Sequence, residues 1–292
     1  MKKRLTAMVA AGIAGMVVAS PAQALCGIGS APVIADVRPL VDSDPRGVLA
    51  TVTRRLADPH LSTVDRGWLL ATQAAAYSTL EQGDEETAAA DRGLALIRDP
   101  RLAPYSELVA QKAAASNDPA MMESSLTQLA AARRFLTPGS SADICSRAVS
   151  AWLEFWLGRH KDALAHMMQA YRDAGAAGLD AERADIGFNL SGILMKSKDL
   201  VQAERLNALA IQWAEAHGQT ARLAAAYYVK GLMRIQARDH AGALTLFERS
   251  AGYARRMGSA QFLGFTALSS CESYVFVKRF AQADAACRDA ER

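Results

Sequence analysis

"HKDALAHMMQA", His160 to Ala170, places two alanines, Ala163 and Ala170, on one stripe of a helix, and that stripe recurs. Stepping by 40 from Ala163 reaches Ala203, Ala243 and Ala283, and the same step from Ala170 reaches Ala210, Ser250 and Ala290. Four residues further stand Ala174, Ala214 and Ala254, and four beyond those Gly178, Gly218 and Gly258. Twelve residues before the first row lie Ala151, Ser191, Gly231 and Cys271, with Phe155, Met195, Ile235 and Val275 as an apolar row between. A register held by so many rows marks a repeat architecture.

Offsets of 7 and 4 keep the small residues on one helix face. Small side chains there let two helix backbones approach closely, so each unit is predicted to be a tight antiparallel helix pair. The glycine row falls just after the second helix, where a left-handed cap is least costly without a β-carbon. No strand-like alternation competes in the chain beyond its first residues.

These rows resemble the tetratricopeptide family in its longer, roughly 40-residue variety. The family's second-helix signature, Ala-x3-aromatic, stands as Ala243-x3-Phe247, with Met167, Asn207 and Cys287 in the equivalent places. The first-helix signature is Leu190-Ser191-x2-Leu194 and in part Cys271-x2-Tyr274, while Glu154 and Arg234 depart from its last position. The resemblance implies an all-α, right-handed superhelical solenoid of antiparallel helix pairs. It covers residues 142–292 as four units, the last incomplete, with residues 25–141 as more degenerate helical repeats. There, "GDEETAAADRGLALIRDP" (Gly83–Pro100) reads as a second helix and Pro104–Phe135 as a degenerate pair. "LTPGSSAD" (Leu136–Asp143) is an internal break, and Pro45 stands in the first turn of an earlier helix.

Residues 1–24 have the three parts of a secretory signal: Lys2, Lys3 and Arg4, an apolar run from Leu5 to Ala19, and a small-residue cleavage site at Ala22-Gln23-Ala24. The run is too short to span a bilayer, which takes about 20 residues, and no other stretch is long and apolar enough. A periplasmic or secreted protein is expected. Of 33 basic residues three lie in the signal, which holds no acid, leaving 30 against 30 in the mature chain. With no basic stripe interleaved with aromatics, nucleic acid is not expected as a partner. Export makes disulfides available to Cys26, Cys145, Cys271 and Cys287, although a core of this size also accommodates buried thiols.

No phosphate-cradling loop, His-Glu-x-x-His or Gly-x-Ser-x-Gly occurs, and "CGIGS" follows no strand. The histidines do not stand at chelating spacing and no carboxylate pair suggests acid–base work, so neither catalysis, metal nor cofactor is expected. Binding of a protein or peptide partner is. In the resembling family the first helices line a concave groove, and the candidate residues there are Trp152, Trp156, Asn189, Lys230 and Arg234. Lys230 and Arg234, four apart, share a helix face suited to a carboxylate or phosphate. A solvated basic face and inter-repeat packing of the tryptophans are the competing readings.

On the 40-residue grid the next small residue falls due at 294 and the next cap at 298. The uncovered seam at Val275, Ala283 and Ala290 is therefore expected to self-associate end-on, to bind a partner end-on or to fray. The organisation also resembles the periplasmic sensor region of bacterial transmembrane diguanylate cyclases (GGDEF proteins) and histidine kinases. That resemblance implies an input module whose output domain lies outside this chain.

Overall fold

Local chain chemistry starts and stops the helices of the computed structural model, which describes residues 31–291. The secretory signal and Cys26 lie outside the described residues. Two short 3-10 turns, Pro32–Ile34 and Arg38–Leu40, precede α1 (Pro45–Leu56). There follow α2 (Thr63–Thr79), α3 (Gly83–Leu96), α4 (Pro104–Ala114), α5 (Pro119–Arg133), α6 (Ser141–Trp156), α7 (His160–Ala176), α8 (Asp180–Lys196), α9 (Leu200–Ala216), α10 (Thr220–Gln236), α11 (His240–Met257), α12 (Ala260–Phe276) and α13 (Phe280–Ala290). No strand occurs among the described residues.

Side-chain caps open many of these helices by satisfying free backbone N–H groups. Asp44 accepts from Gly47 N at 3.0 Å, Ser62 from Asp65 N at 3.0 Å, Asp239 from Gly242 N at 2.8 Å and Ser259 from Phe262 N at 3.0 Å. The helices end on left-handed residues in two registers. Gly178, Gly218 and Gly258, after second helices, have φ of 68°, 64° and 72°. The N–H of the residue after each returns to the carbonyl of Ala174, Ala214 or Ala254 at 2.9–3.0 Å. The second register closes the first helices, at Gly158, Lys198, Arg238 and Lys278. Three of these are not glycine yet hold φ of 61–65°, which sequence composition alone does not signal.

Backbone contacts divide the described chain into two compact units, residues 31–194 and residues 195–291, with the boundary inside α8. In the first, α2/α3, α4/α5 and α6/α7 pack as consecutive pairs, and the first helix α4 also touches the first helices α2 and α6. Both sides of the 136–143 break lie in this unit. Its N-terminal core joins Ile34, Val37 and Val41 to Val48 and Val52 of α1 and to Trp68, Leu69, Ala75 and Ala76 of α2. A second cluster gathers Val109, Ala113, Met122, Leu129 and Leu153, with Trp156 packed against it.

In the second unit α10 pairs with α11 and α12 with α13, and α10 touches α12. An aromatic centre holds Tyr228, Phe247, Phe262 and Phe265, with ring centroids 5.7–6.4 Å apart. Cys271 of α12 and Cys287 of α13 form a disulfide across the last pair, with Cα atoms 5.2 Å apart. Cys145 is disulfide-bonded too, and no described cysteine is free.

The small rows lie where close packing requires them. Ala151, Ser191, Ala163, Ala203, Ala243, Ala170, Ser250, Ala174, Ala214 and Ala254 are fully buried. A β-carbon on Gly231 would run into the Phe247 ring. Two polar residues in the rows bond to α10. Asn207 Nδ2 donates to the Ala226 carbonyl at 3.0 Å, and the Ser250 hydroxyl to that of Ala224 at 2.7 Å. The apolar row is less uniform than its register suggests: Phe155 and Met195 are buried, but Ile235 and Val275 only half so.

One core carboxylate is out of balance. Burial pushes Glu86 of α3 up to about 8, with only the Ser78 hydroxyl beside it to offset this. The folded state thus keeps this proton to about pH 8, while the unfolded chain releases it near 4.5. Stability therefore falls as pH rises through that window. Glu86→Gln is expected to match the parent near pH 4.5 and to exceed it by roughly 1–3 kcal/mol at pH 9. Parallel denaturation curves at both pH values would contradict this.

The turn and row geometry makes a paired prediction. Lys198→Gly, relieving a left-handed lysine, should raise stability by up to about 1 kcal/mol. Ala203→Leu, in a filled row, should lower it by roughly 1–3 kcal/mol. Urea denaturation of the two variants checks both signs.

Candidate functional site

Because α4 touches both α2 and α6, the three form a first-helix layer in the unit of residues 31–194. Trp152 and Trp156, one turn apart on α6, lie in it with ring centroids 5.7 Å apart, and Phe155 is 5.9 Å from each. Trp152 is buried and Trp156 half-buried, so both rings fill inter-repeat space. Their indole N–H groups, however, are buried and bond to nothing. A buried indole N–H ordinarily finds an acceptor, so the pair combines packing with unused hydrogen-bonding capacity.

The same layer carries other buried polar groups. Glu107 and Gln111 of α4 are buried, and Gln111 Nε2 donates to Glu107 Oε1 at 2.8 Å. The Gln111 carbonyl oxygen has no donor. Burial pushes Glu107 up to about 7, against the Gln111 hydrogen bond and the Arg38 charge, which both pull it down. Glu182 near the start of α8 is buried, accepts from the Ser141 hydroxyl at 2.8 Å, and lies 3.6 Å from Arg38 Nη2. Glu107, Gln111 and Glu182 are not among the residues expected from the repeat; the partners of the two glutamates include Ser141, 41 residues from Glu182, and Arg38, 69 and 144 residues from Glu107 and Glu182. A signal was present at Glu182, whose 40-residue equivalents are Ala142, Arg222 and Phe262.

The remaining expected residues are placed apart. Asn189 sits half-buried on α8. In the unit of residues 195–291, Lys230 and Arg234 lie one turn apart on α10, both half-buried. Arg234 is 3.5 Å from Glu204 and 4.0 Å from Asp239, so its charge is answered within the protein.

Each unit also holds a groove between two second helices, floored by a first helix. One, about 350 Å³, is lined by Arg133, Arg147, Glu154, Arg159, His166 and Gln169. The other, about 920 Å³, lies among α11, α12 and α13 and includes Ser270, Tyr274, Arg279, Ala286 and Asp289. The two linings share a register three repeats apart: Ser150 and Ser270, Glu154 and Tyr274, Arg159 and Arg279 are equivalent. Glu154, in the first groove, holds His166 Nδ1 at 2.8 Å. Arg147 is engaged by Asp143 and Asp173, and Arg159 by Glu123, so acids answer these arginines.

His160 packs 5.0 Å from the Phe155 ring and His240 stacks 4.0 Å from that of Phe276. Among the described residues no three His, Cys, Asp or Glu side chains converge as a metal site would require. No described helix is long and apolar enough to cross a membrane.

No protein-family model matches the chain, and no curated protein matches it in sequence. Solved structures do. A Rap protein complexed with Competence and Sporulation Factor is 10% identical with a TM-score of 0.64, over 89% of this chain and 83% of that one. The apo form of RapI is 12% identical with a TM-score of 0.58, over 85% and 90%. A signal transduction ATPase with a tetratricopeptide repeat sensor, from Pyrococcus horikoshii, is 13% identical with a TM-score of 0.53, over 89% of this chain and 41% of that one. At such identities the likeness is one of fold: the chain is an all-α, tetratricopeptide-like helical-repeat protein.

Proposed function

We propose that the protein is an exported, non-catalytic interaction scaffold that receives a protein or peptide partner on the first-helix layer of residues 31–194. The observation that carries this reading is the unused hydrogen-bonding capacity gathered there. Gln111 Oε1, Trp152 Nε1 and Trp156 Nε1 are buried without partners on adjacent first helices. Each such group costs about 1–3 kcal/mol when left unpaired, and a bound main chain offers both donors and acceptors. The fold is in keeping: one structural neighbour was solved in complex with a factor.

Export rests on the signal-like residues 1–24 and is supported by the Cys271–Cys287 bond and the bonded Cys145, which suit an oxidising compartment. A sensing role is the finer form of the same reading, in keeping with the neighbour that carries a tetratricopeptide repeat sensor. Input to a diguanylate cyclase or histidine kinase would require an in-frame membrane helix and output domain beyond residue 292.

Two measurements test the proposal. The N-terminus of the protein recovered from producing cells should be Leu25, and a retained Met1 in a membrane fraction would contradict export. A displayed random-peptide library should yield binders that protect α4 and α6 from amide exchange. Trp152→Phe, which keeps a ring but removes the N–H, should weaken them at least tenfold. Binders that protect only α3, α5 and α7, or no binders, would overturn the reading.

A further inference from the structure

The segment ahead of α1 is not part of the repeat, yet it is tightly held. Ile34, Val37 and Val41 are fully buried against α1 and α2. Arg55 of α1 donates to the Val33 carbonyl at 2.6 Å and to both Asp36 oxygens at 2.6 and 2.9 Å. These contacts anchor the backbone and leave the Arg38 side chain to reach across the first-helix layer. It comes within 3.6 Å of Glu182 on α8, and its charge bears on Glu107 of α4.

The carboxylates it meets are costly for the fold. Glu107 and Glu182 are both more than nine-tenths buried, and a buried carboxylate without a cation is strongly unfavourable. The repeat does not demand them, since no other regular unit has an acid at the Glu182 position. Beside Glu107 the Gln111 carbonyl oxygen, also buried, lacks a donor. Two acceptors and an orphaned carbonyl match a planar, multi-donor cation better than a point charge. A guanidinium carries five N–H groups in a fixed fork.

We propose that Glu107, Gln111 and Glu182 form a guanidinium-recognition subsite, that Arg38 occupies it in cis only in part, from the Glu182 side, and that the partner suited to this face presents an arginine. The subsite rests on the first-helix layer being the binding face, and it names the chemistry of what binds there. Arg38 then acts as the chain's own stand-in for the partner's side chain.

The test uses the full chain, with N-acetyl-arginine amide as probe and the citrulline compound, its uncharged isostere, as control. Arg38→Ala should melt below the parent. Millimolar arginine amide should restore at least half of the lost melting temperature, and the citrulline compound should restore none. Adding Glu182→Gln to Arg38→Ala should abolish the rescue. Should Arg38→Ala be recovered unfolded, the same two compounds are compared for recovery of helical circular dichroism, with the same expectation. Equal effects of the two compounds, rescue that survives Glu182→Gln, or an Arg38→Ala midpoint equal to the parent's would overturn the proposal. Arginine-free library peptides that protect α4 and α6 would leave the scaffold reading standing while this inference failed.

Discussion

Close approach of helix backbones is the constraint on which the rest of the structure depends. Each pair is tight because its contact rows hold alanine, serine or glycine, and those rows are buried almost without exception. Side chains in cores are packed as densely as in organic crystals, so one added methyl at a filled contact must displace something. At Gly231 the obstacle is the Phe247 ring, itself the aromatic of the second-helix signature. Small residue and large ring therefore form one fitted contact. The turns follow from it: helices packed this closely leave room for only a short reversal, which the left-handed residues at 158, 198, 238 and 278 provide.

The same economy of space explains where function can reside. Second helices carry the rows that lock onto their partners, whereas first helices also pack side by side and form a layer of their own. Asn207 Nδ2 and the Ser250 hydroxyl bond to carbonyls of α10. On the first helices of residues 31–194, Gln111 and the two tryptophans keep unpaired atoms. A buried polar atom is costly whether or not it serves a ligand. The unpaired atoms of Gln111, Trp152 and Trp156 on adjacent first helices give the binding reading its physical basis.

Much of the fold was legible in sequence because the repeat is written in residue size. Rows of alanine, serine and glycine at offsets of 7, 4 and 40 specify helix faces, pairings and caps without knowledge of any long-range contact. The degenerate helices were legible too: α3 and the α4/α5 pair fall within Gly83–Pro100 and Pro104–Phe135 as expected. The left-handed Lys198, Arg238 and Lys278 were not, since lysine and arginine carry no preference for that conformation. The candidate site was less legible. Aromatic spacing singled out Trp152 and Trp156, but Glu107, Gln111 and Glu182 read as ordinary surface residues. What distinguishes them is Arg38, brought in by an irregular segment that no periodicity describes.

A double-mutant cycle at the fitted contact tests this account most directly, with Gly231→Ala and Phe247→Leu made singly and together and unfolding free energies measured in urea. In a helix interior, glycine to alanine is ordinarily favourable by roughly 1 kcal/mol. The account predicts that Gly231→Ala is instead unfavourable beside Phe247 and loses most or all of that penalty beside leucine. The coupling should exceed about 1 kcal/mol. Additive effects within about 0.5 kcal/mol, or an alanine already tolerated beside Phe247, would mean that the small rows do not set how closely these helices pack.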